Sequence, residues 1–375
     1  MLHERTWAEV DLDLLAANLA QVRAHVDEDT DVMLVVKADA YGHGAVPVSW
    51  HLLSQGASML GVGDSTEALE LRDAGITAPI LVLGAVVAGE LEDVVRGNIE
   101  VTVHSGDRIR ALRRQLGRSG PKVGVHLKVD TGMGRLGCRP ERVLGIAREI
   151  GRTRRLKLNG ISTHLASPGP DGEKQTQLQL RRFRRVLSVL EKEDLLPRWR
   201  HLHASTGTLR ELPGAYNLVR PGIAVYGLDP YDANGGTLQP ALSWRTQIVF
   251  LKDQRKGARI GYGGTWTAKR KTRVATLPVG YNDGYRFAFS NRAEVLVRGQ
   301  RCPVIGRVSM DYICVDVTDV PGAQVGDRVT LIGRDGDEAV SVQELADLAE
   351  TIPYEILCGI GRRVKRRYIR GGEIT

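Results

Sequence analysis

A (β/α)8 barrel followed by a mainly-β domain is the fold class this sequence predicts, on three observations. Short apolar runs alternate with helix-like segments in eight βα-type units over roughly the first 230 residues. From Leu242 onward the pattern changes to short alternating strands broken by Gly, Pro, Asp and Asn, with no comparable helix until about Val342 to Leu348. The residues with reactive side chains fall at the carboxyl ends of the expected barrel strands, where barrels place their chemistry. These observations put the barrel at residues 1–236 and the β-rich domain at 237–375, joined by the turn-rich stretch Asp229-Pro230-Tyr231-Asp232-Ala233-Asn234-Gly235-Gly236.

Taken in order, helical spacing from Leu12 to Val26 follows Ala8-Glu9-Val10-Asp11. The run Val32 to Val36 is β-branched at three of five positions, which suits a strand buried on both faces, and it ends at Lys37. A lysine against an apolar wall is disfavoured in its charged form, so its pKa should fall and its amine become a better nucleophile and base. Gly42 and Gly44 admit positive φ before a helix begins near Ala45. Further strands are expected at Met59–Val62, Ile80–Leu83, Ile99–Val103, Val123–Val129, Leu156–Thr163, Arg200–Leu202 and Leu218–Val219, with helix-like segments between them. On this frame Lys128 to Arg135 leave the fifth strand, His164 ends the sixth, Ser205 follows the seventh and Arg220-Pro221-Gly222-Ile223 follows the eighth. A barrel binds phosphate after its last two strands, and the Ser205 hydroxyl with the amides of Gly222 and Ile223 makes a reasonable phosphate cradle.

Composition narrows the class. At 375 residues, 42% hydrophobic and 26% charged, the chain has the make-up of a soluble globular protein with two cores. No apolar run approaches ~20 residues and the N-terminus lacks an apolar signal core, so a cytoplasmic protein with no membrane contact is expected. The four cysteines have neither CxxC nor Cys/His ligand spacing, which argues against a metal site and a disulfide framework. The net charge of +8 includes the runs Arg181-Arg182-Phe183-Arg184-Arg185 and Arg362-Arg363-Val364-Lys365-Arg366-Arg367. We read them as solvated faces rather than a nucleic-acid footprint, because the first lies in an amphipathic helix pattern and no nucleic-acid module accompanies either.

The segment Lys37-Ala38-Asp39-Ala40-Tyr41-Gly42-His43-Gly44 closely resembles the pyridoxal-phosphate lysine signature of the alanine racemases. Other blocks resemble that family in the same order along nearly the whole chain. The resemblance implies that Lys37 holds pyridoxal 5'-phosphate as a Schiff base and that Tyr41 reaches its phosphate. In Leu127-Lys128-Val129-Asp130-Thr131-Gly132-Met133-Gly134-Arg135-Leu136-Gly137, Arg135 is similar to the arginine that binds the substrate carboxylate. Lys128 is similar to a lysine carbamylated in some members; an unmodified lysine is the equal alternative. Arg220 resembles the family's partner to the pyridine nitrogen. Guanidinium only donates, so the ring would stay a weaker electron sink, disfavouring a long-lived carbanion and transamination. His164 and His201 resemble histidines that network with this arginine and with the catalytic tyrosine.

Stereoinversion needs proton removal on one face of the α-carbon and delivery on the other, hence a second base opposite Lys37. Tyr262, in Ile260-Gly261-Tyr262-Gly263-Gly264, matches the family's catalytic tyrosine. Met310 resembles a residue whose backbone amide meets the substrate carboxylate, and Tyr354 one that narrows the pocket near the phosphate. In the family the second domain enters the other subunit's site, which implies a homodimer with shared sites. One departure is Ala204, where many members carry asparagine before the phosphate serine. The resemblance implies a racemase acting on alanine. Rival readings are a racemase of broader specificity, a non-catalytic pyridoxal-phosphate-binding barrel, and a barrel-type decarboxylase.

Overall fold

The computed structural model describes residues 4–116, 122–231 and 235–374; Asp232, Ala233 and Asn234 of the expected linker lie outside the described residues. The chain forms two compact units, one of Leu15–Ala40 and Ala45–Gln239, the other of Met1–Leu14, Tyr41–Gly44 and Pro240–Thr375.

The first unit is built on an eight-stranded parallel sheet in the order Trp199–His201, Leu156–Ser162, Val123–Lys128, Glu100–Val103, Ile80–Ala85, Met59–Val62, Asp31–Val35, Leu218–Val219. Its end strands meet: Asn217 N–H donates to Arg200 O at 3.1 Å, Arg220 N–H donates to His203 O at 2.9 Å, and Ala204 and Arg220 form a parallel bridge. The expected barrel is thus present, with each foreseen strand in its place. Its strands read as nearly continuous apolar runs because both faces are covered. Met33, Met59, Leu81 and Leu218 form one packed cluster, each side chain being worth about 1.5–3 kcal/mol when fully buried. The flanking helices present apolar stripes at helical spacing, as in Val143, Ile146, Ala147 and Ile150 of helix Val143–Arg152. In helix Glu173–Lys192, Phe183 is buried while Arg181, Arg182, Arg184 and Arg185 are exposed, so the first basic run is the solvated side of an amphipathic helix.

The second unit contains a sheet in which the N-terminal strand Thr6–Asp11 pairs antiparallel with Leu242–Gln247 and parallel with Lys365–Arg370. Arg328–Asp335, Glu294–Val297 and Gln300–Pro303 continue it. The first residues of the chain therefore group with its last third, a discontinuity that no local pattern reveals. A three-stranded sheet of Phe250–Gln254, Thr272–Leu277 and Ile313–Asp316 and the helices Val342–Leu348 and Pro353–Cys358 belong to the same unit. In the second basic run, Arg363 bonds Asp283 and Asp311, Arg366 bonds four backbone carbonyls, and Arg367 bonds Glu4. Among the described residues no helix is long and apolar enough to cross a membrane.

Candidate active site

Lys37 follows the strand Asp31–Val35 at the carboxyl end of the barrel, and its side chain is exposed. The turn after it is left-handed: Ala38, Asp39, Ala40 and Tyr41 all have φ between 52° and 53°. Non-glycine residues there cost about 1–2 kcal/mol each, so the turn needs outside support. Glu67 provides part of it, accepting from Ala38 N–H and Gly63 N–H at 2.7 Å each. Asp39 accepts from Ala45 N–H, also at 2.7 Å, and so starts the next helix.

Two residue groups converge around the barrel mouth. Lys128, Asp130, Met133, Arg135 and His164 line one small cavity. Asp130 folds the intervening loop by accepting from the N–H groups of Gly132, Met133 and Gly134, at 2.9, 3.0 and 3.1 Å. Burial would raise its pKa, but those three amides outweigh burial and lower it. Gly137, at φ 127°, lies so close to the Val129–Asp130 backbone that a Cβ would overlap it, which fixes the loop carrying Arg135. Lys128 is pushed down to about 7, first by burial and then by repulsion from Arg220, Arg135 and Lys37.

Arg220 is the centre of the second group. It donates to His201 Nδ1 at 2.9 Å, Thr163 O at 3.0 Å, Leu202 O at 3.1 Å and His164 Nδ1 at 3.3 Å. Burial lowers its pKa to about 10, so it remains a cation at neutral pH. His164 is lowered to about 3 by burial and then by Arg220, and His201 falls well below its ordinary value for the same two reasons. Both histidines are therefore neutral and offer lone pairs to the guanidinium. Ser205 Oγ accepts from Gly222 N–H at 3.0 Å and Ala224 N–H at 3.2 Å, which leaves its own proton to donate. Ala224 is a member of this cluster that sequence reasoning did not name; Ile223 is buried between the two amides. Val35 N–H to Pro221 O at 3.0 Å, and Tyr226 Oη–H to Val35 O at 2.9 Å, tie this turn to the strand leading to Lys37.

In the second unit, the rings of Tyr41 and Tyr354 lie 5.8 Å apart at a 52° tilt. Arg366 holds the Tyr41 segment by donating from Nε to Gly42 O at 2.9 Å. Tyr262 stands on the turn Tyr262–Gly264 and is 72% exposed; Met310 is 53% exposed. The backbone just before Tyr262 runs beside Gly306-Arg307, a Cβ at Gly261 coming 3.3 Å from Arg307 N. The Met310 turn is pinned by Asn282 N–H to Met310 O at 3.2 Å and by Ser309 N–H to Tyr312 O at 3.0 Å.

Residues 10–230 match the family model of the alanine racemase N-terminal domain, and residues 241–368 that of the C-terminal domain. The chain belongs to the alanine racemase family. It is 46% identical over 370 residues to alanine racemase of Symbiobacterium thermophilum, covering 98% of this chain and 97% of that one. It is 41% identical over 365 residues to that of Halothermothrix orenii, covering 97% and 96%. Among solved structures, alanine racemase from Bacillus anthracis with bound L-Ala-P superposes with a TM-score of 0.93 at 36% identity, covering 100% of this chain and 97% of that one. Alanine racemase of Clostridium difficile superposes with 0.95 at 33%, covering 100% and 98%. The family is one of pyridoxal-phosphate-dependent isomerases.

Against that family pattern, sequence reasoning missed three polar residues inside the barrel. His126 Nδ1 lies 2.7 Å from His201 Nε2, His126 Nε2 lies 2.7 Å from Glu100 Oε2, and Asn159 donates to Glu100 Oε1 at 2.9 Å. A histidine and a carboxylate inside otherwise apolar strand patterns were the available signal.

Proposed function

We propose that this chain interconverts L- and D-alanine, with Lys37 and Tyr262 as bases on opposite faces of the α-carbon. The observation that carries this reading is the buried Arg220, whose guanidinium is held by two carbonyls and two neutral histidines. A donor-only cation suits an unprotonated ring nitrogen and fast proton return, rather than chemistry that stores charge in the ring.

The donor set fits pyridoxal phosphate: an exposed lysine amine, a hydroxyl with a free proton at Ser205 and a guanidinium held by acceptors. When bound, the cofactor supplies a sink for the electron pair left at the α-carbon. Lys37 Nζ takes or returns the α-proton on one face, and Tyr262 Oη does so on the other. Ser205, Tyr41 and the turn Gly222-Ile223 hold phosphate, while Tyr354 narrows the space beside Tyr41. Arg135 and the Met310 amide hold the substrate carboxylate. His164 and His201 keep Arg220 in place. Lys128 carries a carbamate in this reading: its neutral amine can add carbon dioxide and release a proton to solvent, and the resulting anion would relieve repulsion among Arg220, Arg135 and Lys37. The high exposure of Tyr262 and Met310 supports a homodimer in which each β-rich unit completes the partner's site. Borohydride reduction followed by peptide mapping tests the cofactor assignment. The label is expected on Lys37, and a label on another lysine would overturn the reading.

A further inference from the structure

A polar line runs through the barrel lumen from Arg220, just past one strand's carboxyl end, to Glu100, the first residue of strand Glu100–Val103. Its members are Arg220, His201, His126, Glu100 and Asn159. Barrel interiors are ordinarily filled by apolar layers, so a line of this length is a departure from the fold's own rule. Room has been made for it. A Cβ at Gly160 would overlap His126 Nδ1, and one at Gly124 would overlap Asn159 Nδ2 and lie 2.7 Å from Glu100 Cδ. Glycine weakens a strand interior, so two of them beside this line mark a built feature.

The ends of the line determine where every proton sits. Arg220 can only donate, so it bonds His201 Nδ1, at 2.9 Å, only while that nitrogen carries no proton, a tautomer that the acceptor at the far end of the line selects. The proton of neutral His201 is then on Nε2, and at 2.7 Å it points to His126 Nδ1, which must accept in turn. His126 therefore carries its proton on Nε2 and donates to Glu100 at 2.7 Å. The carboxylate, accepting also from Asn159 at 2.9 Å, closes the line as an acceptor. No member can reverse alone. A doubly protonated His126 would set two donors against each other at His201 Nε2, so the His126–Glu100 contact is not a simple ion pair.

We propose that Glu100 is a positioning residue: acting through His126 and His201, its carboxylate fixes the lone pair that holds the Arg220 guanidinium. The bonds to His201, His164, Thr163 and Leu202 leave Arg220 its Nε hydrogen and one Nη1 hydrogen for a ligand. That this ligand is the ring nitrogen of the cofactor rests on the function proposed above; the proton positions do not.

The test is side-chain nitrogen NMR of the purified holoenzyme labelled with 15N-histidine, with His126→Gln and His201→Gln used for assignment. Both rings are expected with protonated Nε2 and bare Nδ1. Glu100→Leu should replace that single pattern by a mixture, and Glu100→Gln, which keeps an acceptor oxygen, should restore it. A proton on Nδ1 of either ring in the unaltered protein would overturn the proposal, and so would an unchanged pattern in Glu100→Leu. The unaltered spectrum decides even if Glu100→Leu fails to fold, and it does so whether or not the chain racemises alanine. In kinetics, Glu100→Leu should lower kcat about 10-fold with KM for alanine little changed, most of it recovered in Glu100→Gln. A loss carried by KM instead would contradict a role through Arg220.

Discussion

A lysine amine adds carbon dioxide only when it is unprotonated, and burial with three neighbouring cations brings Lys128 within reach of that state near neutral pH. Its pKa near 7 means that the neutral fraction grows as pH rises through 7 and disappears below it. Incubation with 13C-bicarbonate should therefore give a protein-bound carbamate carbon that strengthens between pH 6 and 8, and that is missing from Lys128→Arg. A signal unaffected by that substitution would place the carbamate elsewhere. Sequence reasoning put the desolvated lysine at Lys37, beside the apolar run Val32 to Val36. In the fold Lys37 lies past the last strand residue and is exposed, whereas Lys128 ends a strand and is half-buried beside Arg135 and Arg220. Which strand-end lysine is covered depends on loops that close over it, and a single strand's pattern carries no record of them.

Among the elements, the strands were legible and the turn after Lys37 was not. Runs such as Met59–Val62 and Ile80–Leu83 declare themselves because parallel strands covered on both faces must be apolar throughout. Ala38 and Ala40 carry no local preference for a left-handed turn, and part of its support comes from Glu67, 29 residues from Ala38. Only the glycines announced anything. Gly44 has φ 96° and lies where a Cβ would overlap Tyr368 Oη. Gly44→Ala should therefore destabilise by about 2–4 kcal/mol, lowering the thermal midpoint by several degrees. Gly89→Ala, at a position with nothing within 4 Å, is the control and should be close to neutral. Equal midpoints for the two variants would remove the steric account of Gly44.

At the scale of the whole molecule, the chain order of motifs announced a barrel followed by a β-rich unit. It did not announce that Thr6–Asp11 would pair with strands more than 200 residues away, because register between distant strands is set by the completed sheet. Tyr262 and Met310 are assigned from their motifs alone, and their exposure is what makes a shared site testable. If each site takes Lys37 from one subunit and Tyr262 from the other, reassociating inactive Lys37→Ala and Tyr262→Ala proteins should restore about one quarter of full activity, since half the dimers are mixed and one site in each is intact. Self-contained sites would restore none. The most direct test of the two-base arrangement is α-proton exchange of each alanine enantiomer in deuterium oxide with Tyr262→Phe protein. The arrangement predicts that one enantiomer, served by Lys37, exchanges without inversion while the other does not exchange. Equal exchange of both enantiomers, or inversion at the unaltered rate, would contradict it.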